Sequence, residues 1–274
     1  MTPKHIPSLL LALFLLSAAA IGQETSYKYA PDKPYRYILE FKSDVIQEMA
    51  GQSMSVTVEG TASTVLVHDR KTDEGNLHIT LTIEDALVLA ETPEGTQTFG
   101  ESLKGKSLGY TIDPTGKMID NDSLTFKPQQ QDMQIIQELL GMFPPLDPEK
   151  LSVGGSWERV HTDTLGGSDN PLIRKRKSTY KVTGKENVLN RDCIVIATTR
   201  SVETSGKMKR GEMTLRVTGE ENGTGTIHFD PAQGIIVRMT LDEKGEQLIT
   251  DTGGSSLKVN VSSAGKTTLE LKPD

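Results

Sequence analysis

The chain has 274 residues, with 30 Lys and Arg against 37 Asp and Glu, a formal net charge of −7. An acidic balance excludes a general nucleic-acid binder, which needs a basic face. The single cysteine, Cys193, excludes an internal disulfide. The protein must therefore hold together through its core.

The first residues read MTPKHIPSLLLALFLLSAAAIGQETS. Lys4 precedes an apolar run from Ile6 to Leu16, and Ala20 and Gly22 stand at −3 and −1 of a cleavage before Gln23. This pattern predicts a secretory signal peptide over residues 1–22. No Cys follows the apolar run, so no N-terminal lipid of the bacterial lipoprotein kind is expected. Nothing later is apolar enough to span a bilayer. The expected location is secreted or periplasmic, with no stable membrane span after signal removal.

Period-two alternation dominates the rest. Tyr35, Tyr37, Leu39 and Phe41 interleave with polar residues, as do Leu77, Ile79, Leu81 and Ile83. The pattern recurs in Met213–Val217, Val237–Leu241, Leu257–Val261 and Leu269–Leu271, which reads as about a dozen half-buried strands. Turn signals separate them, among them Asp73-Glu74-Gly75-Asn76 and Glu243-Lys244-Gly245. One segment breaks the rhythm. Gln129–Phe143 places Met133, Ile136, Leu140 and Phe143 at helical spacing, and Pro144-Pro145 stops it.

The two sides of that helix look alike. Tyr110-Thr-Ile-Asp-Pro-Thr-Gly resembles Ile227-His-Phe-Asp-Pro-Ala-Gln-Gly, and Tyr37 matches Trp157 in position. The expected organisation is a β half over 23–126, a linker helix and Pro-rich turn over 127–150, and a second β half over 151–274, from an internal duplication. Asp113-Pro114 and Asp230-Pro231 are expected to be turn formers, with Gly116 and Gly234 supplying positive φ.

Gly100-Glu-Ser-Leu-Lys-Gly-Lys-Ser107 fits the phosphate-loop pattern letter for letter. A working phosphate loop needs a strand before it and a helix after it. After Ser107 comes a β-type run ending in Asp113-Pro114, so the stretch reads as the lead-in to a hairpin and no nucleotide is expected. Ser178-Thr-Tyr-Lys181 and Ser168-Asp-Asn170 echo a penicillin-recognising serine enzyme, but in reversed order and without K-T-G. The basic run Arg174–Lys177 reads as a solvated strand face. His68-Asp69, His161-Thr-Asp163 and His228-Phe-Asp230 pair His with a carboxylate, too few ligands for a metal, and read as surface groups.

At Val153-Gly-Gly-Ser-Trp157, followed by Gly223-Thr-Gly-Thr-Ile-His-Phe-Asp-Pro-Ala-Gln-Gly-Ile235, the chain resembles a family of uncharacterised, secreted, β-rich bacterial proteins with two similar halves. Gly155 stands where that family tends to have Asp. No activity comes with the resemblance. More remotely, many curved strands with one helix look like the half-barrel carriers of lipids and lipoproteins in the bacterial envelope.

The expected fold is all-β with one central helix, a strongly curved antiparallel sheet forming an open or half barrel. The expected function is a non-enzymatic binding protein that holds a lipid or other apolar small molecule in a concave β surface, without cofactor or metal. Met133, Ile136, Leu140 and Phe143 are the candidate lining, against the plainer reading that they fill the core. The alternatives are an envelope scaffold that contacts another envelope protein, and a hydrolase with an unrecognised site.

Overall fold

The computed structural model describes residues 26–120, 126, 132–165, 171–210, 213–253 and 257–273. Its strands are β1 (Tyr35–Met49), β2 (Gln52–Lys71), β3 (Leu77–Thr92), β4 (Gly95–Phe99), β5 (Ser107–Ile112) and β6 (Met118–Asp120), then β7 (Ser156–Leu165), β8 (Leu172–Val188), β9 (Arg191–Arg210), β10 (Met213–Asp230), β11 (Ile235–Asp251) and β12 (Lys258–Leu271). One helix, α1 (Met133–Leu140), lies between the two sets. All twelve strands form one sheet, in the order β6-β5-β3-β2-β1-β12-β11-β10-β9-β8-β7, with β4 added on β3. The sheet is antiparallel and does not close into a barrel. The expected fold class is the observed one.

Each half is a meander, except that β5 skips β4 to pair with β3. The first strand joins the last: Tyr37 lies opposite Leu271 and Met49 opposite Val259. Tight turns set the register of the long hairpins. Ala50-Gly51 and Leu189-Asn190 both hold two successive positive φ angles (51 and 81°, 53 and 60°), the geometry that matches strand twist. One expected turn is not there. Glu243-Lys244-Gly245 lies inside β11, where residues 238–250 pair with both β10 and β12 without a break. A lone Gly with charges is compatible with a solvated strand as well as with a turn.

Inward residues of β1–β3, β5 and β8–β12 join one core with Ile135, Ile136 and Leu139 of α1, none of which has exposed surface. Eleven strands laid flat would span ~50 Å, whereas an eight-residue helix is ~12 Å long. One core around one such helix requires the sheet to curl, with α1 on its concave side. The helix is shorter than the spacing suggests: it ends at Leu140, Phe143 lies beyond it, and residues 129–131 fall outside the described residues.

Two loop features finish the core. The N-terminal segment from Ser26 crosses between the two Asp-Pro turns: Tyr27 N donates to Pro114 O at 2.9 Å, and Lys28 N donates to Gly234 O at 3.0 Å. Both turns form as expected. Asp113 Oδ1 accepts from the N–H groups of Thr115 and Lys117, and Asp230 Oδ1 from those of Ala232 and Gln233. The gap between edge strands β6 and β7 is bridged by the Pro144–Asp147 stretch. Leu146 N donates to Thr115 O on one side, and Trp157 Nε1 donates to Pro145 O on the other. Two prolines lack the N–H groups that a further strand would need.

Candidate functional site

The strands are longer than the core is deep. Alternation therefore carries the inward face beyond the buried layer, and the register maps it row by row. The last core row holds Phe41, Thr267, Leu241, Gly225, Thr198 and Tyr180. The next two rows hold Ser43, Glu243 and Arg200, then Val45, Glu221 and Arg176. This is a charged belt on the inside of the sheet.

Arg200 is its centre. Its Nη2 contacts Glu221 Oε1 at 3.1 Å and also pairs with Glu243, and the three side chains are only 18–28% exposed. Glu138 of α1 faces the same group, and Arg176 lies on the next strand. A cavity of about 160 Å³ lies here, lined by Glu138, Glu221, Glu243, Ser43, Ser263 and Thr267 among others. Burial pushes the Glu243 carboxyl up to about 7; the Arg200 charge opposes this and Glu221 reinforces it. Burial raises Glu138 too, and lowers Arg176, which also sits beside Arg200. Among the described residues no three His, Cys, Asp or Glu side chains gather as a metal site.

Above the belt the inward face is partly open and carries apolar residues alongside Gln47, Gln247 and Thr204. Val45, Val56, Val259, Val261 and Ile249 are half-buried, and Met54 is 43% exposed. Val202, Leu215 and Val217 are buried there but stand apart from the main core.

The residues singled out in the sequence fall elsewhere. Ile136 has no exposed surface, and Phe143 makes edge contacts with the rings of Tyr27, Tyr29 and Tyr110. Leu140 is partly buried against the core. Met133 opens α1, and its side chain lies outside the described residues. The structure thus sets Ile136 and Phe143 among protein side chains, and among the described residues of the helix it is Glu138 that reaches the cavity.

The phosphate-loop lookalike is a short 3-10 turn, Glu101–Leu103, leading into β5 and not into a helix. Leu103 plugs the core, and Ser102 Oγ donates to the buried Asp132 Oδ2 at 2.5 Å, just ahead of α1. Lys106 stands 6.0 Å from the Phe126 ring centre. Lys106→Ala is expected to unfold in urea at the wild-type midpoint, within about 0.5 kcal/mol, the value of one exposed cation–π contact, and to keep its function; loss of function in the folded variant would return a ligand role to this lysine.

Two readings need correction. Arg174–Lys177 is not a uniformly solvated face: alternation sends Lys175 and Lys177 outward and turns Arg174 and Arg176 inward. Nor are all the histidines surface groups. His68 is 3% exposed and donates through Nδ1 to Tyr29 O at 2.7 Å, while Asp69 bonds His78 and Thr80. His228 is 8% exposed and reaches Glu186, and the buried Asp230 pairs with Arg191. Only His161 is exposed and bonded to the expected partner, Asp163, at 2.7 Å.

No family model matches the chain, and no curated protein matches it. Among solved structures it is similar to lipovitellin, in a structure describing lipid–protein interactions, with a TM-score of 0.52 at 16% identity over 90% of this chain. That match takes in 26% of the lipovitellin chain, so the protein spans about a quarter of it. The likeness is one of fold. The hypothetical lipoprotein YmcC from Escherichia coli (13% identity, 85% of each chain) and a DUF1329 family protein from Desulfovibrio piger (12% identity, 88% and 87%) have TM-scores of 0.25 and 0.17, too low to carry an argument. No helix among the described residues is long and apolar enough to cross a membrane, which leaves strands aside.

Proposed function

We propose that the protein is an exported, non-enzymatic binding protein that lays a lipid or similar apolar ligand on its concave face, above the charged belt. The observation that carries this reading is the half-open apolar surface of Val45, Val56, Val259, Val261 and Ile249 inside a curved sheet. Inward positions of a purely structural sheet are buried by packing; these stay partly exposed. The half-open cavity of about 160 Å³ is below the ~300–1,000 Å³ of a small-ligand pocket. An apolar chain is therefore bound along the open rows and not inside the belt. The fold shared with a lipid-bearing protein supports the reading by analogy.

The test is native mass spectrometry of protein purified from its own host, before and after organic extraction, followed by displacement of a fluorescent fatty acid. A solvent-extractable mass is expected. Val45→Asp with Val261→Asp is expected to weaken fatty-acid binding at least tenfold with the circular dichroism spectrum unchanged, since each charge placed on an apolar contact costs roughly 1–3 kcal/mol. Full binding by the folded double variant would defeat the proposal. A clean apo mass would favour a scaffold instead. A specific feature supports that second reading: β7 is a ten-residue edge strand whose Val160 is 55% exposed.

A further inference from the structure

We propose that α1 is seated on the sheet by a proton held within the Glu138–Glu221–Glu243 cluster, and that loss of this proton loosens the helix from the belt. The inference does not depend on what the concave face binds.

The geometry of the carboxylates carries it. Glu243 stands opposite Gly223 across β10 and β11, and Glu221 stands opposite Gly245. The two side chains are diagonal neighbours with no side chain between them. A Cβ at Gly223 would come within 3.1 Å of Glu243 Cγ and Oε1, and one at Gly245 within 3.4 Å of Glu221 Cβ. The paired glycines let the carboxyl groups meet, and Glu221 receives a hydrogen bond from Glu243 when the latter is protonated. Both share one nitrogen of Arg200. A third carboxyl, Glu138, comes down from the helix and reaches Thr267 of β12.

Three carboxyls crowd around one guanidinium, that of Arg200. Arg200 from β9 is the central cation, with Arg176 and Arg174 from β8 and Arg159 from β7 further along the same face; Glu138 from α1, Glu221 from β10 and Glu243 from β11 are the carboxyls gathered around Arg200. Asp163 of β7 lies on the Arg176 side, and Tyr180 of β8 faces both arginines without adding charge at neutral pH. Lys42 and Lys266 line the cavity from β1 and β12 but pair outward with Glu59 and Asp242. A proton on one carboxyl relieves the repulsion among the three that surround Arg200. Burial raises both Glu243, to about 7, and Glu138. A carboxyl raised in the folded state is no liability at pH values below its unfolded value, 4.5, and becomes one as pH rises through about 7.

The helix is the element free to respond. Glu221 and Glu243 sit on strands bonded on both sides. α1 has eight residues, a length with no helical stability of its own, and stays in place through its buried face and the Ser102–Asp132 bond.

Hydrogen exchange of the full-length protein, corrected for intrinsic rates, reads this directly. Protection of the 133–140 backbone is expected to fall about tenfold from about pH 6 to about pH 8, while β1 and β12 stay unchanged. Glu243→Gln is expected to flatten that profile, and Glu138→Gln, which leaves the sheet untouched, is expected to flatten it as well. A purely structural role for either side chain would shift protection by the same factor at every pH. That result in both variants, or α1 protection independent of pH in the wild type, overturns the proposal. Should Glu243→Gln fail to fold, Glu138→Gln alone decides.

Discussion

Gly234→Ala is expected to cost on the order of 3–5 kcal/mol, a large part of the ~5–15 kcal/mol that holds a domain together. Gly234 has φ +66°, which an L side chain adopts at a cost of roughly 1–2 kcal/mol. The larger part is steric. A Cβ there would lie 2.4 Å from Ser26 O and 2.5 Å from Lys28 N, so the N-terminal segment must lift off the turn. Lifting it breaks the bond from Lys28 N and uncovers Tyr27 and Tyr29, which are 2% and 1% exposed. At Gly116, φ +88°, in the other Asp-Pro turn, an added Cβ would lie 2.4 Å from the Tyr27 ring, so Gly116→Ala should behave alike. Gly105→Ala supplies the control: φ is +74°, nothing lies within 4 Å, and only the strain remains. Urea unfolding of the three variants measures the difference. Equal losses for Gly234→Ala and Gly105→Ala would mean that the N-terminal segment adds nothing to stability.

Arg200→Met should be nearly as costly, with a pH signature. Removing one member of a largely buried ion pair costs roughly 3–5 kcal/mol because the remaining charge has no partner. Arg200 is 25% exposed and serves both Glu221 and Glu243, so about 3 kcal/mol is expected at alkaline pH. Glu243, already pushed up to about 7 by burial, loses the cation that opposes the rise. The variant therefore keeps its proton to higher pH, and its deficit shrinks as the solution is acidified. Chemical denaturation at about pH 5 and about pH 8 tests both parts. A deficit equal at the two values would show that the carboxyls do not depend on Arg200 for their charge.

The fold is legible in the sequence because alternation survives wherever an inward residue meets the core: Tyr37, Leu39 and Phe41 declare β1 without help. The Asp-Pro turns are equally legible, since Asp113 and Asp230 need only their own backbone neighbours. The belt is hidden by the same logic. Arg176 sits within a basic run, and Glu221 and Glu243 sit in charged, Gly-containing stretches that resemble turns. Strands of 17–20 residues far exceed the usual ~5–6, so mid-strand charge does not look like strand at all. Counting by twos from Leu241 to Glu243, or from Tyr180 back to Arg176, puts both on the inward face. Glu138 carries no such signal, because one acid among glutamines on a short helix marks no face.

The pairing of β1 with β12 has a temporal side. A chain made from its N-terminus produces β1 first and its partner last, more than 200 residues later, with Tyr37 waiting for Leu271. Until then the β1 edge stands open with Tyr37, Leu39 and Phe41 beside it. Every other ladder is between strands of the same half and can zip locally. The last strand to emerge is thus the one that joins the halves, and a chain truncated before Lys258 would be left with two unsatisfied edges, on β1 and on β11, at the centre of what should be one continuous wall.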